Sequence, residues 1–107
     1  MVILMRIDER MLHGQVALTW VNEVHPEAIL IANDEAAEND MAKLAFKMAK
    51  PDGVKLAIKS IDDGAKLLNH PHAQKIRIFV IVRTLADAVR LVRQTDPPCE
   101  YRRNPQA

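Results

Sequence analysis

The apolar residues of this chain form two kinds of pattern that alternate along it. Four short runs rich in Val, Ile and Leu predict β-strands, at residues Val2–Arg6, Ala28–Ala32, Val54–Ile58 and Ile76–Val82. The second and fourth runs are apolar at nearly every position, which is typical of strands covered on both faces of a sheet. Strands that alternate with helical patterns predict βαβ units, in which neighbouring strands run parallel.

The segments between these runs show the spacing of amphipathic helices, with apolar residues three and four positions apart. The predicted stripes are Val16, Trp20, Val21 and Val24; Ala37, Met41, Leu44, Ala45 and Met48; Ile61, Ala65 and Leu68; and Leu85, Ala88, Val89 and Val92. Ser60-x-x-Asp63 and Thr84-x-x-Asp87 resemble capping boxes, so the last two helices should begin there. We expect every stripe, including Trp20, Met41 and Met48, to pack on the sheet. The prediction is an open, mainly parallel α/β sheet with helices on both faces.

Composition narrows the class of protein. The 107 residues, 49% of them hydrophobic and 27% charged, are typical of one globular domain. Fifteen basic and fourteen acidic side chains leave a net charge of +1, which disfavours nucleic acid and anionic membranes as general partners. The single cysteine, Cys99, cannot form an internal disulfide, and no apolar run is long enough to span a bilayer. The sequence therefore predicts a cytoplasmic protein that reaches a membrane only through partner proteins.

The most informative position is His13, which falls between the end of the first predicted strand and the start of the first predicted helix. In a parallel sheet the loops that follow the strands meet at one edge, and α/β proteins bind ligands there. A helix N-terminus offers free backbone N–H groups, Arg10 can form two hydrogen bonds with phosphate oxygens, and Gly14 lets the backbone approach closely. These residues predict a phosphate site in which the imidazole of His13 can act as the nucleophile.

The residues around His13 also resemble a known family. The motifs are Asp8-Glu9-Arg10-x-x-His13-Gly14-Gln15-Val16, Thr19-Trp20, Asn33-Asp34-Glu35 and Arg83-Thr84-Leu85-Ala86-Asp87. Together they resemble the IIB domain of the mannose/fructose/sorbose family of the sugar phosphotransferase system (PTS), over roughly residues 1–93. The resemblance implies a protein-phosphohistidine–sugar phosphotransferase component. In that family the histidine that matches His13 accepts a phosphoryl group from a IIA domain and donates it to a sugar that enters through membrane IIC and IID components.

The predicted site has one catalytic residue, His13, supported by Asp8, Arg10, Gly14 and Gln15. The helix N-terminus and Arg10 both disfavour an imidazolium, so His13 should be neutral and nucleophilic near pH 7. Asp8 either accepts an imidazole N–H or holds the Arg10 guanidinium, and the sequence leaves both roles open. Asp34 and Arg83 are second-tier candidates because they follow other strands at the same predicted edge. The chemistry requires no metal and no cofactor.

Two other kinds of site are weaker. A receiver-like site would use Asp8 and Asp34 to bind Mg²⁺ and form an acyl phosphate, but no third acidic residue directly follows the third strand. The sequence His70-Pro71-His72, with His25 as a further ligand, could suggest a metal site. The histidine pair falls in a predicted surface loop with no third ligand near it in sequence, which disfavours metal binding.

The last residues of the chain differ from the rest. Residues 94–107 contain three prolines and no periodicity, so we expect an irregular or disordered tail after a partial IIB-like domain of residues 1–93. Members of the family continue into a further strand and more helices, so the C-terminal part is expected to be missing. A sheet that ends early exposes a strand edge and favours self-association into a homo-oligomer. The alternative function is then a truncated, transfer-deficient remnant that only binds IIA or other PTS partners.

Overall fold

The computed structural model describes residues 2–7, 25–50 and 52–95. Its strands are β1 (Val2–Ile7), β2 (Ala28–Ala32), β3 (Lys55–Lys59) and β4 (Ile78–Val82). Its helices are α1 (Asp34–Ala37), α2 (Asp40–Ala49), α3 (Ile61–Asn69) and α4 (Leu85–Gln94), with a 3₁₀ helix, η1, at Pro71–Lys75. The observed strands agree with the predicted ones to within two residues at either end. The first predicted helix, with Trp20, lies outside the described residues, as does the predicted tail beyond Thr95.

The described strands form one parallel sheet in the order β1-β4-β2-β3. Each pair is in register at its carboxyl end, where Val82 pairs with Ile7 on one side and Ala32 on the other, and Ala32 pairs with Lys59. The prediction of a parallel sheet is therefore confirmed. Among the described residues β1 pairs only with β4, and self-association through its outer edge stays a prediction.

Alternate residues of the central strands divide between two apolar layers, because successive side chains point to opposite faces of a strand. One layer holds Leu30 and Val80 with residues of α3 and α4, such as Ala65 and Leu91. The other holds Ile29, Ile31, Phe79 and Ile81 with Ala36 of α1 and Phe46 of α2. Helices thus cover both faces, as expected from the almost continuous apolar runs of β2 and β4.

Polar side chains at the strand ends start the helices. The Ser60 hydroxyl accepts a hydrogen bond from the Asp63 N–H at 3.1 Å, and the Thr84 hydroxyl accepts one from the Asp87 N–H at 3.1 Å. Both predicted helix starts are confirmed. Such caps satisfy backbone N–H groups that have no partner inside the helix, and each is worth about 1 kcal/mol.

The second predicted helix differs from expectation in two ways. The segment from Ala37 to Met48 is two helices rather than one, because the Asn39 side chain accepts from the Ala42 N–H at 3.0 Å and begins a new helix there. The stripe expected to pack on the sheet is also exposed, at 79% for Met41 and 78% for Met48. Phe46, on the opposite side of α2, makes the contact with the sheet layer instead. The prediction that every stripe packs on the sheet is therefore wrong for the two methionines, and also for Leu44 of α2 and Leu85 of α4, whose side chains are exposed.

Helix α3 packs against β2 and α4 at Gly64. A Cβ atom placed on Gly64 would lie 3.5 Å from the Ala32 Cβ, 3.6 Å from Leu30 Cδ2 and 3.8 Å from Leu91 Cδ1. Helix α3 is thus packed against β2 and α4 at its first two turns. Among the described residues, no helix combines the length and apolar character needed to cross a bilayer.

Candidate functional site

The carboxyl ends of the four described strands lie side by side at one edge of the sheet. Strand β4 is central there, because Val82 is the register partner of both Ile7 and Ala32. Neighbouring strands are about 4.8 Å apart, so the segments that leave β1 and β2 each start about 5 Å from the end of β4 and roughly 10 Å from each other. The shared edge predicted from the parallel pattern is therefore present.

The central residues of the predicted site follow β1 directly. Asp8, Arg10, His13, Gly14 and Gln15 all lie outside the described residues. Ile7, the residue before them, is described and pairs with Val82. The predicted phosphate segment therefore starts beside the strand end that leads to Arg83. The end of β2, which leads to Asp34, lies one strand further from the end of β1.

Asn33, the first residue after β2, is a buried structural residue. Its side-chain oxygen accepts from the Ala36 N–H at 2.9 Å, and its own N–H donates to the Lys59 carbonyl at 2.9 Å. The first contact starts α1, and the second extends the pairing of β2 with β3. Asn33 thus fixes the direction in which the two following acidic residues leave the sheet.

Asp34 connects three elements through its two carboxylate oxygens. Oδ1 accepts from the Ile61 N–H at the start of α3, at 2.9 Å, and Oδ2 accepts from Nη1 of Arg90 in α4, at 3.0 Å. Arg90 Nη2 also lies 3.6 Å from the Asp62 carboxylate. The Ile61 N–H, and next the Arg90 guanidinium, hold the pKa of Asp34 below its ordinary value, and the same contact raises the pKa of Arg90. Asp34 is thus held as a carboxylate at the junction of β2, α3 and α4.

Arg83 makes a different kind of contact. Its Nη1 lies 3.1 Å from Glu35 Oε1, and the two side chains are 45% and 82% exposed. Ion pairs this exposed contribute little to stability, because water and salt screen them. The Arg83 guanidinium can therefore exchange Glu35 for another anion at little cost, whereas Asp34 has both oxygens engaged.

Arg90 is a contributor that the sequence does not reveal. It is 56 positions from Asp34 along the chain and lies on the polar side of an ordinary amphipathic helix. No local spacing links the two residues. Only the sheet order, which sets α4 beside the end of β2, brings them together.

The histidine pair near η1 has a structural role. The Nδ1 of His70 accepts from the His72 N–H at 3.1 Å and caps η1, so the segment predicted as a loop is in part a 3₁₀ helix. The backbone carbonyl of His25 accepts from Arg77 Nε at 3.2 Å. Over residues 2–7, 25–50 and 52–95, no three His, Cys, Asp or Glu side chains converge in a way that could hold a metal ion.

Comparisons with known proteins agree with this geometry. The model of the PTS system sorbose subfamily IIB component matches residues 2–96. A probable phosphotransferase enzyme IIB component of Streptococcus pyogenes is 44% identical over 94 residues, which are 88% of this chain and 58% of the relative. The mannose-specific EIIAB component of Escherichia coli is 32% identical over 89 residues, 83% of this chain and 28% of the relative.

Solved structures of IIB domains have a similar fold. The IIBSor domain of the sorbose permease from Klebsiella pneumoniae matches with a TM-score of 0.82 and 28% identity, over 87% of this chain and 57% of that domain. This chain therefore spans a little over half the length of the Streptococcus relative and of the sorbose domain.

Proposed function

The chain belongs to the sorbose subfamily of PTS IIB components, and from this premise we propose that it is a phosphocarrier whose phosphorylated residue is His13. The observation that carries the proposal is the position of the His13 motif within the matched residues 2–96. The motif starts directly after β1, at the edge of the parallel sheet where helix N-termini and strand ends favour anion binding.

The proposed reaction has two transfers, each of which makes and breaks one bond to phosphorus. In the first, a neutral imidazole nitrogen of His13 attacks the phosphoryl group of a phosphohistidine on IIA, and the donor N–P bond breaks. In the second, a sugar hydroxyl attacks the phosphoryl group on His13, the O–P bond forms as the His13 N–P bond breaks, and the hydroxyl proton ends on the imidazole, which is neutral again. Positioning and charge stabilisation supply most of the catalysis in such transfers.

We assign Arg10 and the backbone at Gly14 to the phosphoryl oxygens, with Gln15 as a further donor. Asp8 would either orient the imidazole or hold the Arg10 guanidinium. Arg83 is a supporting cation in this proposal, because it follows the strand end beside Ile7 and its exposed partner Glu35 is replaceable. Asp34 has a positioning role in this proposal, because its carboxylate holds α3 and α4 against the end of β2.

The proposed donor is a IIA domain, and the proposed acceptor is a sugar delivered by membrane IIC and IID partners on the cytoplasmic side. The E. coli relative named EIIAB supports the donor, because its name joins a IIA and a IIB component in one protein. Arrival at the membrane would then depend on these partners. No metal ion takes part in the proposed steps.

Intact-mass analysis tests the proposal most directly. The chain is incubated with phosphoenolpyruvate, the general PTS proteins and a IIA domain, and should gain one phosphoryl group that is stable in alkali and labile in acid. His13→Ala should abolish the gain, whereas the matched variant His72→Ala should keep it, because only the backbone N–H of His72 makes its described hydrogen bond.

Other results would overturn the proposal. Labelling that persists in His13→Ala would end it. An alkali-labile, Mg²⁺-dependent adduct on Asp8 or Asp34 would favour the receiver-like alternative. Binding to IIA without any labelling of the parent chain would favour the transfer-deficient alternative.

A further inference from the structure

A cleft lies at the β3 edge of the sheet, which is the edge opposite β1. It has a volume of about 630 Å³ and opens between β3 and the segment formed by α3 and η1. Its floor is apolar and includes Leu30, Ala57, Leu67, Ala73, Ile76 and Ile78. The proposed phosphotransfer chemistry uses none of these residues.

The cleft lies where α3 and η1 leave part of β3 uncovered. At Gly64, α3 contacts Ala32 and Leu30 of β2, and Leu91 packs on the same side. The part of β3 that faces this helix layer is incompletely covered, and Ala57 in its centre is only half-buried. The uncovered strand face is apolar at Ala57 and carries Lys55 and Lys59 at either end.

Strand β3 also offers backbone groups along its outer side. The Lys55 N–H donates to the Glu27 carbonyl at 3.1 Å, and the Lys59 carbonyl accepts from the Asn33 N–H at 2.9 Å, so both residues bond toward β2. In a parallel pair, alternate residues bond to the same neighbour. Leu56 and Ile58 therefore direct their N–H and C=O groups away from β2, and the part of the chain that the structure describes has no strand there.

The rim of the cleft is basic. Three lysines line it, Lys55 and Lys59 from β3 and Lys66 from α3, against one acidic residue, Asp63. All three lysines are exposed. A second copy of β3 would bring lysines opposite lysines, which destabilises a strand pair. Charge complementarity thus disfavours self-pairing and favours an acidic occupant.

We propose that this cleft binds an extended acidic peptide segment of a partner protein, which adds to β3 as a further strand. Its backbone would pair with the outward N–H and C=O groups of Leu56 and Ile58. Because alternate side chains of a strand share a face, an apolar side chain opposite Ala57 would enter the cleft, and carboxylates two residues before and after it would face Lys55 and Lys59, with Lys66 across the rim. An unpaired edge strand beside a helix-lined apolar groove is the geometry by which proteins capture peptides through strand addition.

The test uses the full chain and the acetylated, amidated peptide Thr-Glu-Thr-Val-Thr-Glu-Thr carrying a fluorophore, in which the valine and both glutamates lie on one face of the strand. Fluorescence anisotropy should show saturable binding that weakens as salt rises, because exposed charges are screened. Amide chemical shifts of Leu56 and Ile58 should change most, because their N–H groups point outward. The same peptide with lysine in place of glutamate should bind at least about tenfold more weakly.

Two controls separate strand addition from other binding. Methylating the peptide's backbone nitrogens at alternate positions removes the strand hydrogen bonds and leaves charge and side chains in place, so affinity should fall. The variant Lys55→Glu with Lys66→Glu should weaken binding by about tenfold. The matched variant Lys43→Glu with Lys47→Glu, which makes the same charge change on α2, should leave binding unchanged.

Several results would overturn the proposal. They are the absence of saturable binding up to millimolar peptide, equal binding of the methylated or lysine peptides, and chemical-shift changes centred on β1 rather than β3. Equal weakening by the two double variants would mean that only net charge matters. A concentration-dependent dimer that protects the Leu56 and Ile58 amides would show that a second copy occupies the edge.

Discussion

The replacement Gly64→Ala should stabilise the protein, although Gly64 is buried in the tightest contact of α3. The three nearest atoms to a Cβ at this position lie 3.5 to 3.8 Å away, which is ordinary van der Waals contact. The methyl group therefore fits without displacing Ala32, Leu30 or Leu91. Alanine in a helix interior is favoured over glycine by about 1 kcal/mol, chiefly because the unfolded chain loses less freedom. We expect a gain of about 0.5 to 1 kcal/mol in the free energy of unfolding.

Gly53 provides the matched control, because the same substitution should act in the opposite direction. Its φ is +84°, in the left-handed region, and a Cβ placed there meets nothing within 4 Å. Packing therefore contributes nothing, and the cost is the backbone conformation alone, about 1 kcal/mol for a residue with a side chain. Gly53→Ala should lower the free energy of unfolding by this amount.

Urea unfolding followed by circular dichroism measures both effects. With a slope of about 1 to 3 kcal/mol per molar urea, the two midpoints should move apart by roughly half a molar or more, in opposite directions from the parent and with unchanged slopes. Loss of stability in Gly64→Ala by about 1 kcal/mol or more would mean that α3 lies closer to β2 than the structure shows. Stabilisation by Gly53→Ala would mean that this turn does not hold a left-handed residue.

Three further predictions separate structural from chemical roles. The stabilising effect of Asp34 should be present above its unfolded pKa of 3.8 and lost as pH falls through its lower folded pKa. In urea titrations from pH 7 to 3, the parent should therefore lose its stability advantage over Asp34→Asn at the acid end, with Asp63→Asn as a control for charge at the same helix start. Arg10→Lys should slow transfer by roughly two to three decades in rapid-quench assays, because lysine cannot form two parallel hydrogen bonds with a phosphate. Equal rates would make Arg10 a surface charge. Leu91→Ala, at a fully buried residue, should cost about 2 to 5 kcal/mol, whereas Met48→Ala, at a residue 78% exposed, should change stability by less than about 0.5 kcal/mol. An equal cost for both would show that the exposed face of α2 is covered in solution.

The fold class followed from local patterns. Strands β2 and β4 are apolar at every position, whereas a half-buried strand would alternate apolar and polar residues. The continuous runs therefore indicate strands with a helix layer on each face. Ser60 and Thr84 mark helix starts because a side-chain oxygen next to the backbone is enough to make a cap. These interactions span three residues, so the sequence alone contains them.

The face that α2 turns to the sheet was not determined in this way. Its sequence offers a methionine-rich stripe and a single Phe46 on the other side, and the structure packs Phe46. Two physical causes decided this, the cap at Asn39 that restarts the helix and the fit of one large ring against the sheet layer. Helical periodicity counts apolar residues on each face, but it contains no information about the shape of the surface they meet.

The candidate site likewise has one part that the local sequence determines and another part that depends on the tertiary structure. The His13 motif lies within nine consecutive residues, Asp8 to Val16, so the sequence by itself determined the family and the proposed nucleophile. Only the sheet order β1-β4-β2-β3 set Arg83 beside the end of β1 and brought Arg90 to Asp34 across 56 positions. The cleft along β3 likewise depends on how α3 and η1 lie over β3, which is a property of three elements together. Local chemistry is encoded in neighbouring residues, whereas contacts between distant residues exist only once the packed layers have fixed which chain segments are neighbours.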